Sequence, residues 1–109
     1  MSSNTVVEVT DDNYEQIAVI DKKYVVLDFW AQWCAPCITM SVILDELAEH
    51  YGNKVIIGKV NIDDNPEVPM KFGVRSIPTL IILKAGNVIA TKVGPLTKSE
   101  VMAFIDSTI

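Results

Sequence analysis

Two cysteines, one histidine and a shortage of basic residues set the first limits on this chain of 109 residues. Two cysteines cannot build the framework of a disulfide-dense secreted miniprotein, and a chain of this size does not need one. Lys and Arg number 9 against 14 Asp and Glu, a net charge of -5, and no basic stripe is present. That excludes an ordinary polyanion binder, so no nucleic-acid partner is expected. Like charges run no further than pairs such as Asp11-Asp12 and Lys22-Lys23, and the mild acidity reads as solubility. The longest apolar stretch, Tyr24 to Ala31, is interrupted by Asp28 and is too short to span a bilayer. Residues Met1 to Thr5 carry neither a basic segment nor a long apolar one, so no secretory signal is expected. A cytoplasmic, reducing compartment is the default expectation. There a cysteine pair serves catalysis or metal binding more often than structure.

What is present is enough apolar surface for one core. Half of the residues are hydrophobic and 21% are charged, which excludes a disordered chain and predicts a single domain over residues 1–109. Residues 5–9 suit an edge strand, and the capping oxygens of 10–13 predict a short helix over 11–19 with Tyr14, Ile17 and Ala18 inward. Residues 24–31 read as a strand apolar on both faces except at Asp28, hence a central strand between helical layers. A break at 32–36 leads into a long helix ending near Tyr51. Met40, Leu44, Leu47, Ala48 and Tyr51 form its buried stripe, and Gly52 its cap. A strand over 54–61, a short helix over 67–72 and a strand over 78–83 follow. A turn at 85–87 leads to a strand over 88–93, and a helix opens on the capping box of Thr97 and Glu100. The order β-α-β-α-β-α-β-β-α predicts an α/β fold with a parallel first half and an antiparallel addition. Sites in such sheets lie beyond the carboxyl ends of strands.

Cys34-Ala35-Pro36-Cys37 lies at such an end. A C-x-x-C between strand and helix in a cytosolic protein is first of all a redox dithiol. Unpaired N–H groups and the dipole at the helix start stabilise an anion on Cys34, which raises the thiolate fraction. Cys37, one turn on, is placed to attack a mixed disulfide at Cys34. Pro36 suits the first turn, where its missing N–H costs nothing. A structural zinc needs four ligands, and Cys34, Cys37 and His50 fall short within one chain. A site shared by two copies, and two inert thiols, remain as alternatives. Haem attachment would need a histidine where Ile38 stands.

Asp28 is the second informative residue. A carboxylate inside a buried strand is costly unless paired or neutral, so it is either a satisfied structural group or a proton carrier near the cysteines. Lys59 is the candidate partner on the neighbouring strand; taken alone it reads as an ordinary strand-end lysine. Pro78 reads as a trans proline at a strand start, since cis peptides have a low base rate. Trp33, Ile77, Val93 and Gly94 are candidates for an apolar docking surface, although each alone is more often core.

These residues also carry a resemblance. Residues 26–31, Trp33-Cys34-Ala35-Pro36-Cys37, residues 59–63, Ile77-Pro78-Thr79 and Lys92-Val93-Gly94, in this order and spacing, resemble the thioredoxin family over nearly the whole chain. The resemblance implies a central five-stranded mixed sheet flanked by four helices, in a monomer. It implies a protein-disulfide reductant with Cys34 as exposed nucleophile and Cys37 as buried resolving thiol. Asp28 would then exchange the Cys37 proton, with Lys59 tuning it. It implies a cis Pro78, with the Ile77 backbone pairing to an extended substrate segment. Trp33, Ala35, Pro36, Val93 and Gly94 would complete the substrate surface. The implied partners are diverse protein disulfides and a thioredoxin reductase, to which NADPH and flavin belong; the chain itself would carry no cofactor beyond its redox-active disulfide.

Three residues depart from the family pattern. Ala35 replaces the usual glycine between the cysteines, Ile38 replaces a basic residue, and Val42 stands where a helix-kinking proline is common. Val42 therefore predicts a straighter helix. Rival readings are a thioredoxin-like oxidant or isomerase, a docking module without chemistry, and a metal-bridged dimer.

Overall fold

The long apolar segment 24–30 becomes the middle of the sheet because both of its faces find cover. The structure, a computed structural model, describes residues 6–20 and 22–109. It contains β1 (Val6–Glu8), β2 (Tyr24–Trp30), β3 (Val55–Asn61), β4 (Thr79–Lys84) and β5 (Asn87–Val93) in the spatial order β1-β3-β2-β4-β5. The two pairings among β1, β3 and β2 are parallel, while β4 runs antiparallel to both β2 and β5. The expected antiparallel addition is thus β4 itself, and the hairpin returns β5 to the direction of β2. Ala85 and Gly86, at φ 51° and 83°, form the two-residue hairpin turn whose twist matches the strands. Thr5, expected at the start of β1, lies outside the described residues.

Alternation along β2 divides the core. Val26 packs with Met40, Leu44, Leu47, Ile57, Leu80, Val101 and Ile105 under the two longer helices, α1 (Ala35–Tyr51) and α3 (Lys98–Asp106). Val25, Leu27 and Phe29 point the other way, into a cluster with Val9, Tyr14, Ala18, Val60, Val68 and Ile81. That face is covered by a π-helical segment, Glu15–Ile20, and by α2 (Glu67–Lys71). The sheet with these four helices has the thioredoxin fold. Gly58 in β3 is a close-approach position: a Cβ there would stand 2.6 Å from Val9 Cγ2 and 3.1 Å from Leu27 Cδ2.

The expected first helix over 11–19 is corrected. Its regular part is Glu15–Ile20, and it is preceded by a turn. The Thr10 N–H donates to Asn13 Oδ1 at 2.7 Å and the Asn13 N–H donates to Thr10 Oγ1 at 3.2 Å, closing that turn on itself. Asp11, a candidate cap for this helix, caps another one. Its carboxylate accepts from the Glu67 N–H at 3.2 Å and the Val68 N–H at 2.9 Å at the start of α2, where Pro66 offers no side-chain acceptor. The α3 capping box forms as expected. Gly52, at φ 57°, ends α1, which runs unbroken through Val42.

Candidate active site

Three chain segments converge at the carboxyl end of β2. Phe29 pairs with Thr79 and Thr79 with Val93, so residues leaving β2, entering β4 and leaving β5 start from neighbouring points. The first segment turns through Gln32 and Trp33, where the Cys34 N–H donates to the Ala31 carbonyl at 3.1 Å. Cys34 is then the N-cap of α1, with extended backbone. Its carbonyl accepts from the Cys37 N–H at 3.1 Å and the Ile38 N–H at 3.2 Å. Its sulfur accepts from the Cys37 N–H at 3.3 Å. The sulfur therefore occupies the place where a helix start favours negative charge.

Cys34 and Cys37 form a disulfide across Cα atoms 5.2 Å apart. The two sulfurs are unequal. Cys37 is fully buried and Cys34 retains 6% of its surface. The expectation of an exposed Cys34 is corrected in degree: as the N-cap residue of α1 it keeps only this small fraction of its surface open. Ala35 and Pro36 between them are exposed.

Asp28 is fully buried on the α1 face of β2, and neither carboxylate oxygen has a hydrogen-bond partner. Burial pushes its pKa up, from an ordinary 3.8 to about 7; the Lys59 charge pulls it down and the Asp45 charge pushes it up by smaller amounts. Lys59 is the register partner of Asp28 on β3. Its ammonium does not hydrogen-bond to Asp28. It donates to Ser41 Oγ at 2.7 Å, to the Ser41 carbonyl at 3.3 Å and to Asp45 Oδ1 at 2.6 Å. Asp28 is thus the charged group left without a satisfied structural bond, and Lys59 acts on it through space.

The Ile77–Pro78 peptide is cis, against the base rate and in line with the resemblance. The Pro78 carbonyl accepts from the Gly94 N–H at 2.9 Å, tying the entry of β4 to the exit of β5. Trp33 and Val93 stand 69% and 63% exposed, so neither is core. The indole N–H of Trp33 donates to Asp63 Oδ2 at 2.9 Å, and the Asp63 N–H donates to Asn61 Oδ1 at 3.0 Å. Trp33 and Ile77 also line one groove of about 570 Å³ with Ile62, Pro69, Val74 and Met70, the last 77% exposed.

Ser41, Asp45, Asp63 and Met70 were not singled out from sequence. Ser41 and Asp45 did carry a signal: they follow Cys37 at four and eight residues, and so share its helix row. Among the described residues, no group of three or more His, Cys, Asp or Glu side chains is arranged to hold a metal ion. His50 is exposed at the far end of α1, and no helix among them is long and apolar enough to cross a membrane.

Comparison with known proteins agrees with this geometry. The Thioredoxin family model matches residues 5–107. The chain is 48% identical to a thioredoxin of Pseudomonas aeruginosa over 107 residues, 98% of this chain and 99% of that one. It is 46% identical to a thioredoxin of Haemophilus influenzae over 104 residues (95% and 97%) and 44% identical to one of Buchnera aphidicola over 106 (97% and 98%). With its paired cysteines at the mouth of α1, the chain is a dithiol–disulfide redox protein, and it belongs to the thioredoxin family. Its general class is that of the disulfide oxidoreductases.

Proposed function

We propose that the protein is a general reductant of protein disulfides, working as a monomer of one domain over residues 1–109 in the cytoplasm. The observation that carries this reading is the inequality of the two bridged residues: Cys34 caps the helix and keeps some exposed surface, while Cys37 within the helix has none. In the reduced protein the Cys34 thiolate attacks one sulfur of a substrate disulfide. A Cys34–substrate bond forms, the substrate S–S bond breaks, and the departing substrate sulfur takes a proton. Cys37 then gives its proton to the Asp28 carboxylate and attacks the Cys34 sulfur. The protein disulfide forms, and the second substrate thiolate leaves and takes the Cys37 proton back from Asp28, so two electrons pass from the protein to the substrate, with one proton from Cys37 and one from water.

Asp28 suits the proton transfer because a carboxyl that titrates near 7 is a base close to the working pH. Lys59 tunes it. Substrate docks as an extended segment along the Ile77 backbone, beside Pro78 and Gly94, with Trp33, Ala35, Pro36 and Val93 as the apolar surround. Backbone pairing gives affinity without demanding one sequence, which suits diverse substrates. A thioredoxin reductase resets the disulfide with electrons from NADPH through its flavin, and this chain needs no cofactor of its own.

The test is reduction of a protein disulfide coupled to NADPH and a bacterial thioredoxin reductase. Catalytic NADPH oxidation that requires both cysteines supports the reading. Failure of the reductase to reduce Cys34–Cys37, or an equilibrium with NADPH that leaves the pair largely reduced but unable to reduce the substrate, contradicts it.

A further inference from the structure

Lys59 has a neighbour it does not use. Asp28 and Lys59 are register partners on adjacent parallel strands, so their side chains leave the sheet side by side under α1. A lysine so placed next to a buried carboxylate would ordinarily pair with it. An ammonium has three protons to donate. Here the three contacts of Nζ go to Ser41 Oγ, the Ser41 carbonyl and Asp45 Oδ1, all on α1. Asp28 keeps both oxygens unpartnered. Cys37, Ser41 and Asp45 stand four residues apart in one row of that helix, so the thiol and the lysine clamp ride on the same rigid element.

We propose that Asp45 and Ser41 are positioning residues that hold the Lys59 ammonium against α1 and off the Asp28 carboxylate, which keeps Asp28 free to take the proton of Cys37. This rests on the reading of Asp28 as proton acceptor. A carboxylate in direct contact with an ammonium stays ionised to low pH and is a poor base near neutrality. The clamp leaves Asp28 within reach of the lysine's field without the contact. The groups placed to act on Asp28 are Lys59, its register partner on β3, and Asp45 of α1, while its register partner on β4 is the apolar Leu80. Val101 and Ile105 of α3, in the same cluster, bring no charge. Asp45 is largely exposed and an exposed pair alone is weak. The two Ser41 contacts, beside a Lys59 side chain only 15% exposed, make the clamp more than a surface ion pair.

The readout is the titration of the Asp28 carboxyl by carbon NMR in the full-length oxidised protein, together with the pH profile of disulfide reduction. Asp45→Asn is expected to lower the Asp28 midpoint by about one pH unit, since it removes a negative charge and releases Lys59 toward Asp28. Ser41→Ala, which keeps every charge, lowers it by a smaller amount. In a Lys59→Met background the effect of Asp45→Asn falls to less than about half, because its main route is gone. The pH profile of reduction moves with the midpoint. An unmoved midpoint in either single variant overturns the inference. So does an Asp45→Asn shift that is as large without Lys59 as with it, which would be charge acting through space. Asp28→Asn separates the two readings: if it leaves the pH profile of reduction unchanged, the role of Asp28 fails, while the midpoints of the other variants still decide the clamp.

Discussion

Replacing Asp28 with asparagine makes the fold more stable at neutral pH and leaves it little changed in acid. A buried acid whose folded pKa is raised keeps its proton in the folded state after the unfolded chain has lost its own. Its stabilising contribution is complete below the unfolded value of 3.8 and is lost as pH climbs through the folded value of about 7. At about 1.36 kcal/mol per pH unit, the gap between those two values corresponds to about 4 kcal/mol. The side chain is fully buried, so solvent does not screen this cost. Asparagine has nearly the same shape and does not ionise. Its amide carries its own desolvation cost, which is a constant offset with no pH dependence.

The assay is urea unfolding of both proteins with the disulfide intact, so that no thiol titrates. The stability of the variant relative to the parent should rise by about 4 kcal/mol between about pH 4 and about pH 8, with most of the change below about pH 7. All other titrating groups are common to both proteins and cancel. A stability difference that is the same at every pH would refute the reasoning, because Asp28 would then titrate alike in folded and unfolded chains.

Gly58→Ala should cost about 1–3 kcal/mol in the same unfolding assay, because its new Cβ would press on Val9, a stiff β-branched side chain with no exposed surface. An unchanged urea midpoint would show that Val9 yields freely. Thr97→Ala removes the acceptor of the Glu100 N–H and half of the capping box, and should cost about 1 kcal/mol; a loss confined to experimental error would contradict the cap. In the reduced protein, iodoacetamide should modify Cys34 well before Cys37, as mass spectrometry of quenched samples will show. Faster modification of Cys37 would reverse the assignment.

The elements that rest on local pattern were legible before the structure. Asp28 stands out as a lone charge in a two-faced apolar strand, and the unequal fates of Cys34 and Cys37 follow from helix start and helix stripe. The turn at Ala85 and Gly86 and the capping box at Thr97 likewise depend only on neighbours in sequence. What escaped depends on partners far away. Asp11 looks like the cap of the helix it precedes, but the packing of α2 offers it two unpaired N–H groups instead. Lys59 looks like the partner of Asp28, and only the lie of α1 across β3 reveals Ser41 and Asp45 as its acceptors. Asp63 holds the Trp33 indole across a separation of 30 residues, a contact that only the folded chain brings about. The cis Pro78 was visible through the family resemblance alone, because residue-level physics favours trans.

The central claim is that the two thiols divide the chemistry, Cys34 attacking and Cys37 resolving. Incubating Cys37→Ser and Cys34→Ser separately with a disulfide-bonded protein, and weighing the products intact under non-reducing conditions, tests it most directly. A stable mixed disulfide is expected on Cys34 in the first variant and little or none on Cys37 in the second. Adducts on Cys37 in the second variant and none in the first would contradict it.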